Sequence, residues 1–383
     1  MLKPPKVLLL TGSYGNGHLE VAHALVAELN KRGIADIVVS DLFYEAHPIL
    51  TSFTKQLYLK SFTKGQSIYG FLYYNSDYRM TDFRIDRIID RYGYVRINQL
   101  MNTHDFDVVI NTFPMQALPI YKQKNQHTVP FVNVLTDFCL HTRWVSDEIN
   151  HFFVACGSLK EELLELGIDG KKITISGIPI KEAFYQTALQ PLDSSSVNQN
   201  QAAQHVLISA GAFGVLKNLP ALINKLSVQS NLILTVICGR NEELYHSLSS
   251  QYDGVPTVRI LSYVNDMAAL MKQADVMVTK SGGISLSEAL ALQVPLVLTP
   301  AVPGQERDNA NLFEQEGMAI TTRSEDEIVP AVLQVLKQPF LADHLKTQMS
   351  RHFYPYAAAT IVDSVLDIIE ETAGVKENNN ENS

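Results

Sequence analysis

The sequence predicts an α/β protein made of two doubly wound, Rossmann-like domains that face each other across a cleft. Short apolar runs are separated along most of the chain by helical or loop stretches, the pattern of a parallel sheet covered on both faces. The alternation starts again after a polar break at residues 188–204. With 383 residues, 46 % apolar and 19 % charged, the chain holds enough apolar material for two cores.

In the first half, Val7-Leu-Leu-Leu10 reads as a buried strand entering the loop Thr11-Gly-Ser-Tyr-Gly-Asn-Gly17. After it Leu19, Ala22, Leu25, Val26 and Leu29 recur at helical spacing. Further strands are expected at residues 37–39, 108–110, 129–135, 152–155 and 173–175. Residues 188–204, ALQPLDSSSVNQNQAAQ, combine Ser, Asn, Gln and Pro with few large apolar side chains and read as a linker. Strand-like runs resume at 205–209, 232–237, 276–278 and 296–298. The expected division is a first domain over 1–187, a second over 205–356, and a C-terminal helix over 357–375 that crosses back to the first domain. The tail 376–383 has nothing to bury and is expected to be disordered.

Charge and cysteine content narrow the classes. The formal charge is −9 with a pI near 5.7 and a mean hydropathy of zero, which argues against a broadly basic surface for nucleic acid. Residues 1–187 carry 19 basic and 19 acidic side chains and residues 188–383 carry 12 and 21, so the whole imbalance lies in the second half. Cys139, Cys156 and Cys238 form no CxxC pair and have no nearby His at metal-ligand spacing, so neither a disulfide framework nor a structural zinc is expected, and a reducing cytosol fits. The run Val7–Leu10 is too short for a signal-peptide core, and nowhere do 18 consecutive apolar residues occur. Membrane contact, if made, is peripheral.

Four loops carry the chemistry. Gly12-Ser-Tyr-Gly15-Asn16-Gly17-His18 leaves a strand and opens a helix, so its backbone can approach a ligand and its N–H groups can face an anion. It fits neither the dinucleotide nor the P-loop pattern. His18, at a helix N-terminus beside the expected cleft, is a candidate proton acceptor near neutral pH; the plainer alternative is an ordinary first-turn residue. Ser209-Ala-Gly211-Ala212-Phe213-Gly214 is a second candidate phosphate loop. In Lys280-Ser281-Gly282-Gly283-Ile-Ser285-Leu-Ser-Glu288, the carboxylate either closes a capping box with Ser285 or binds the hydroxyls of a ribose. Pro303-Gly304-Gln305-Glu306-Arg-Asp-Asn309 places amides and a carboxylate where a polyhydroxylated ligand suits them, or is a turn opening a solvated helix.

These loops, in this order, resemble the GT-B glycosyltransferases that include the peptidoglycan lipid-intermediate GlcNAc transferase and plant monogalactosyldiacylglycerol synthase, within glycosyltransferase family 28. The likeness is greater still to the bacterial processive diacylglycerol glucosyltransferases. It spans nearly the whole chain through Gly12–His18, Asp41-Leu-Phe-Tyr-Glu-Ala-His-Pro48, Asn111-Thr-Phe-Pro114, Thr136-Asp-Phe-Cys-Leu-His141, Ser176-Gly-Ile-Pro179, Ser209–Gly214, Lys280-Ser-Gly-Gly283 and Pro303–Glu306. One departure is Lys280-Ser281-Gly-Gly, where the diacylglycerol branch usually carries Lys-Pro-Gly-Gly and the peptidoglycan branch resembles this chain.

The resemblance implies an inverting transfer of glucose from UDP-glucose to the 3-hydroxyl of diacylglycerol and then to the glucosyl lipid, giving mono- and diglucosyldiacylglycerol, a membrane glycolipid and possible lipoteichoic acid anchor. It implies His18 as general base, with Asp137 orienting it or serving as the base itself. Gly15, Asn16, Gly17, His141 and Trp144 would line the acceptor side. For the donor, Tyr263 and Val264 would hold uracil; Gly211, Ala212, Phe213 and Gly214, with Ser281, Gly282 and Gly283, would face the diphosphate; Glu288 would take the ribose; Gln305, Glu306 and Asn309 would take the hexose. The first domain becomes the acceptor and membrane domain, and the second the nucleotide-sugar domain. No cofactor or bound metal is implied, since GT-B enzymes generally do without one. Asp105-Phe-Asp107 matches a DxD only superficially, because it precedes a strand.

Residues 42–94 hold 13 of the 33 aromatic residues, and 49–74 carry Lys55, Lys60 and Lys64 with no acidic side chain. Rings and lysines suit the interface of an anionic bilayer, so this segment is expected to touch the membrane; the alternative is that its rings fill the first core. The amphipathic stretch Ile85–Val95, with Arg84, Arg87 and Arg91, could pack inward or lie on lipid. The expected place of work is the cytoplasmic face of the cell membrane. Other readings are a UDP-galactose or UDP-GlcNAc lipid transferase, a UDP-GlcNAc 2-epimerase-like enzyme, and a non-enzymatic nucleotide-sugar sensor. Oligomeric state is not legible.

Overall fold

A computed structural model describes residues 4–13, 16–46, 84–125, 127–190, 203–211, 216 and 218–381. Contacts divide the chain into two compact units, Met1–Lys181 with Tyr354–Ser383, and Glu182–Phe353.

In the first unit the order is β1 (Val7–Thr11), α1 (Asn16–Lys31), β2 (Ile37–Asp41), α2 (Leu42–Ala46), α3 (Arg84–Thr103), β3 (Val108–Asn111), α4 (Ala117–Asn125), β4 (Phe131–Val134), β5 (His151–Val154), α5 (Gly157–Glu165) and β6 (Ile173–Ile175). The six strands are parallel in the order β2-β1-β3-β4-β5-β6. Val7, Leu8, Leu9 and Leu10 are fully buried, as are Phe131, Phe152 and Phe153; strands covered on both faces have no polar side to alternate with. The chain builds outward from β1 to β2 and then in the other direction from β3, so the loops after β1 and β3 diverge and leave a crevice at their carboxyl ends. Gly12 and Ser13, the described part of the glycine loop before α1, follow β1 at that crevice.

The second unit begins with α6 (Glu182–Leu189). This helix buries Phe184 and Tyr185 and packs on the helices Met267–Lys272 and Gly283–Leu292, so the chain enters the second unit six residues before the expected limit at 187. The order continues β7 (Gln204–Ser209), α7 (Leu219–Ser227), β8 (Leu232–Ile237), α8 (Glu242–Gln251), β9 (Val258–Leu261), α9 (Met267–Lys272), β10 (Val276–Thr279), α10 (Gly283–Leu292), β11 (Leu296–Leu298), α11 (Gln305–Gln315), β12 (Ala319–Thr321), α12 (Ile328–Lys337) and α13 (Pro339–His352). Its sheet is parallel in the order β12-β11-β10-β7-β8-β9. Direction reverses between β7 and β10, which places the loops at Gly211 and Ser281–Gly282 side by side at the second crevice. Of the expected linker, residues 191–202 lie outside the described residues.

The last helix, α14 (Ala357–Glu381), belongs to the first unit. It packs on α1, and Asp363 accepts from the Arg32 guanidinium, with Nη2 at 3.2 Å from Oδ2. The helix runs to Glu381 and corrects the expected disordered tail from 376. Once packing has nucleated a helix each added residue gains a hydrogen bond, so propagation continues past the buried face. No described helix is long and apolar enough to cross a membrane.

Candidate active site

His18 lies in the first turn of α1, with the side chain only 9 % exposed. Its Nδ1 is 2.8 Å from the carbonyl oxygen of Thr112 and 2.9 Å from Thr136 Oγ1. A carbonyl can only accept, so Nδ1 carries the proton and Nε2 the lone pair. Thr112 itself is pinned to β1: its N–H and hydroxyl both reach the Leu10 carbonyl, at 2.9 and 3.1 Å. The Phe113 ring meets the imidazole edge-on at 4.9 Å between centroids. Gly12 makes this approach possible, since a Cβ there would fall 2.5 Å from the Phe113 ring. Burial lowers the His18 pKa below its ordinary value, opposed by the charge of Asp137, the Thr112 hydrogen bond and the charge of Asp41. The imidazole is therefore neutral at neutral pH and able to take a proton.

Asp137 follows Thr136 and is half-buried. The contacts that orient the ring at Nδ1 come from Thr112 and Thr136, and Asp137 acts on His18 through its charge. Asn16 opens α1, its amide donating to Glu20 Oε1 at 3.0 Å, and Gly17 is half-buried beside it. Gly15 lies outside the described residues. His141 accepts the Arg143 N–H on Nδ1 at 3.2 Å and caps the short 3-10 turn Thr142–Trp144. Trp144 is 3 % exposed, which corrects its expected place at an acceptor entrance: the indole is core, and the residue's carbonyl accepts from Asn133.

In the second unit the loop after β7 turns at Gly211, at φ +78°; Ala212, Phe213 and Gly214 are outside the described residues. Helix α10 starts at Gly283 with Gly282 as its N-cap and no side-chain cap. Its first N–H groups and positive dipole end face the crevice between β7 and β10, which suits a diphosphate. Glu288 then falls in the second turn of α10, so the alternative of a capping box with Ser285 is overturned: with small Gly282 ending the loop, the helix begins too early for the box to form. Ser281 and Asn309, expected as ligand contacts, are both fully buried. The Ser281 hydroxyl donates to the Glu306 carbonyl and the Asn309 amide donates to the Ser281 carbonyl at 3.0 Å. They clamp the loop after β10 to the start of α11, which corrects their expected place as ligand contacts: their side chains are turned inward. Gly304, at φ +108° and ψ −152°, a conformation open essentially to glycine, turns the chain into α11 and presents Gln305 and Glu306, both half-buried.

Glu306 carries the most telling feature of this unit. Its Oε1 lies 3.2 Å from Lys280 Nζ, while its Oε2 is buried with no hydrogen-bond partner among the described residues. A buried carboxylate oxygen without a donor is costly, and a ligand hydroxyl would satisfy it. Tyr263 follows β9 and is 42 % exposed, its ring 5.0 Å from the Arg240 guanidinium; Val264 beside it is half-buried. Sequence reasoning missed Thr112, Phe113, Thr136, Asp41 and Lys280 as individual contributors, although all but Asp41 lie in the first residues after a strand, where ligand-facing loops begin. Lys55, Lys60 and Lys64 lie outside the described residues. Asp107 accepts from the Lys6 N–H at 2.7 Å at the amino end of β3, far along the strand from these loops. Among the described residues no group of three or more His, Cys, Asp or Glu could hold a metal.

Comparison with known proteins identifies the family. The family model for monogalactosyldiacylglycerol (MGDG) synthase matches residues 18–180, and that for the glycosyltransferase family 28 C-terminal domain matches residues 206–364. A processive diacylglycerol beta-glucosyltransferase of Bacillus cytotoxicus is 39 % identical over 368 residues, 96 % of this chain and 95 % of that one. Among solved structures, MurG of Acinetobacter baumannii superposes with a TM-score of 0.63 at 15 % identity, covering 95 % of this chain and all of that one. A UDP-N-acetylglucosamine 2-epimerase of Listeria monocytogenes, so described provisionally, gives 0.65 at 12 % identity, covering 97 and 98 %. At such identities the structures speak for the fold alone, whereas the match to the Bacillus protein runs at substantial identity through both units. The chain has the GT-B fold and belongs to the family of the processive diacylglycerol beta-glucosyltransferases.

Proposed function

We propose that this chain transfers glucose from UDP-glucose to the 3-hydroxyl of diacylglycerol, with inversion, and then adds glucose to the glucosyl lipid. The observation that carries the chemistry is the 2.8 Å contact between His18 Nδ1 and the Thr112 carbonyl, from which the tautomer is assigned. With Nδ1 committed to the Thr112 carbonyl, Nε2 takes the proton of the acceptor hydroxyl as its oxygen bonds to the anomeric carbon. The bond from that carbon to the diphosphate breaks on the opposite face, and UDP leaves with the electron pair. Its growing charge is met by the N-terminal amides of α10 and the turn at Gly211.

Glu306 Oε2 and Gln305 receive the hexose hydroxyls, Glu288 the ribose, and Tyr263 with Val264 the uracil. The relative of B. cytotoxicus, named for glucosyl transfer to diacylglycerol, supports this choice of sugar and lipid. Work at the cytoplasmic face of an anionic membrane, as a peripheral protein, is the setting that suits a lipid acceptor. Exposed Tyr44, Tyr92 and Val95 with exposed Arg91, on α2 and α3, support it, because they flank in sequence the Lys-bearing segment 49–74 and repeat its aromatic and basic character.

Incubating the protein with diacylglycerol vesicles and, separately, UDP-glucose, UDP-galactose and UDP-GlcNAc, and then weighing the glycolipids by mass spectrometry, tests the proposal. Mono- and diglucosyl lipid from UDP-glucose is expected. Product only from another sugar would replace the donor, and no lipid product from any of the three would overturn the function.

A further inference from the structure

Two asparagines sit in the first sheet among Val, Ile and Phe. Asn111 ends β3, Asn133 lies beside it in register on β4, and they are 1 % and 2 % exposed. Amides so buried are costly unless hydrogen-bonded, and these two are bonded in a line. The Phe113 N–H donates to Asn111 Oδ1 at 3.2 Å, Asn111 Nδ2 donates to Asn133 Oδ1 at 2.8 Å, and Asn133 Nδ2 donates to the Trp144 carbonyl at 2.8 Å. The N–H at one end can only donate and the carbonyl at the other can only accept, so the line has one direction and fixes both amides. Its ends are the two loops that hold His18. Thr112 and Phe113 give the carbonyl on Nδ1 and the ring against the imidazole; Trp144 closes the loop opened by Thr136, whose hydroxyl also meets Nδ1.

We infer that Asn111 and Asn133 are positioning residues for the transfer step: a directional amide relay that holds the loops after β3 and β4 in mutual register and so fixes the imidazole of His18 between them. The inference rests on His18 as the base. Outer partners that orient metal ligands typically matter by about 10–100-fold, and an effect of that order is expected for these two amides; it acts on turnover rather than on donor affinity, because the donor loops belong to the other unit.

The test is Asn133→Leu, near in volume and neutral, with Asn133→Ser as a second variant should the first not fold. Steady-state rates with UDP-glucose and diacylglycerol vesicles are measured against pH, and the ring nitrogens of His18 are read by nitrogen-15 NMR on the same protein. The charged groups acting on His18 are Asp137 and Asp41, both unchanged in these variants. The relay predicts a kcat lower by about 10–100-fold, a KM for UDP-glucose within twofold of wild type, and His18 shifts that leave the single Nδ1-protonated form for a mixture of tautomers. Asn150→Ala is the control, since Asn150 Oδ1 braces the amino end of β4 by accepting from the Phe131 N–H at 2.9 Å; it should lower Tm with kcat and His18 shifts unchanged. If Asn133→Leu and Asn133→Ser behave like that control, the relay is only structural and the inference fails. If instead His18→Ala keeps wild-type turnover, the base assignment fails, while the nitrogen shifts still report on the relay by themselves.

Discussion

Lys280 and Glu306 form an ion pair, Nζ to Oε1 at 3.2 Å, that joins the loop after β10 to the first turn of α11. Their side chains are 20 % and 13 % exposed, and the second carboxylate oxygen is buried with no hydrogen-bond partner among the described residues. Replacing Lys280 by Met removes the charge partner and should cost about 1–3 kcal/mol of stability, read as a lower Tm. It should also raise KM for the UDP-sugar, because Glu306 loses the contact that aims it. Adding Glu306→Gln to Lys280→Met should recover part of the Tm, since no unpaired charge then remains, but not the KM. Independent, additive losses in Tm would show that the pair is not coupled.

The pH dependence follows from the burial of His18. Its folded pKa lies below the ordinary value of about 6.5, so the neutral base persists as pH falls through that value and the acid limb of kcat should lie below it. In the unfolded chain His18 takes up its proton near pH 6.5 while the folded protein still resists. The unfolded state thus binds more protons in the interval between the two pKa values, and stability falls as pH drops through it. His18→Gln should lose this part of the acid sensitivity in denaturant melts between pH 7 and 5. Asp137→Asn removes a charge that favours the imidazolium and should move the acid limb lower still. Complete loss of turnover in Asp137→Asn, with turnover kept in His18→Gln, would make Asp137 the base.

Gly12 tests the packing that seats His18. An alanine Cβ there would lie 2.5, 2.8 and 2.9 Å from Phe113 ring atoms, so the ring must move, and the imidazole packs on its edge. Gly12→Ala should cost about 1–3 kcal/mol as an overpacked site and lower kcat. Combining it with Phe113→Leu, which makes room, should restore much of the stability; equal damage in the single and double variants would place the defect elsewhere.

Membrane attachment has its own readout. Changing Lys55, Lys60 and Lys64 together to Glu reverses three charges, each worth on the order of 1 kcal/mol at an anionic surface. Co-sedimentation with vesicles rich in anionic lipid should be lost, and activity on detergent-dispersed diacylglycerol kept. Unchanged sedimentation would remove this segment from the membrane contact.

Much of the fold was legible because buried parallel strands announce themselves as continuous apolar runs: β1, β3, β7 and β8 all lie within or beside the runs read from sequence. The strands that escaped, β9 and β12, are the two edges of the second sheet, where Val258-Arg-Ile-Leu261 and Ala319-Ile-Thr321 are short and only partly buried. The place of His18 in the first turn of a helix was legible from the glycine loop before it. Its partners were not, because a carbonyl at Thr112 and a hydroxyl at Thr136 become a site only when β3 and β4 lie side by side. Ser281 and Asn309 misled in the opposite direction: polar types in a ligand loop suggest ligand contacts, and only the structure shows their hydrogen bonds turned inward. Spacing alone also offered Ser285 and Glu288 as a capping box, which depends on a helix start that Gly282 sets elsewhere.

Whether Nε2 of His18 accepts the acceptor's proton is decided by single-turnover transfer from UDP-glucose to diacylglycerol in His18→Ala. With His18 as the base, the transfer rate falls by about 10²–10⁴-fold, with UDP affinity unchanged and the protein folded. A wild-type rate in the folded variant would contradict it.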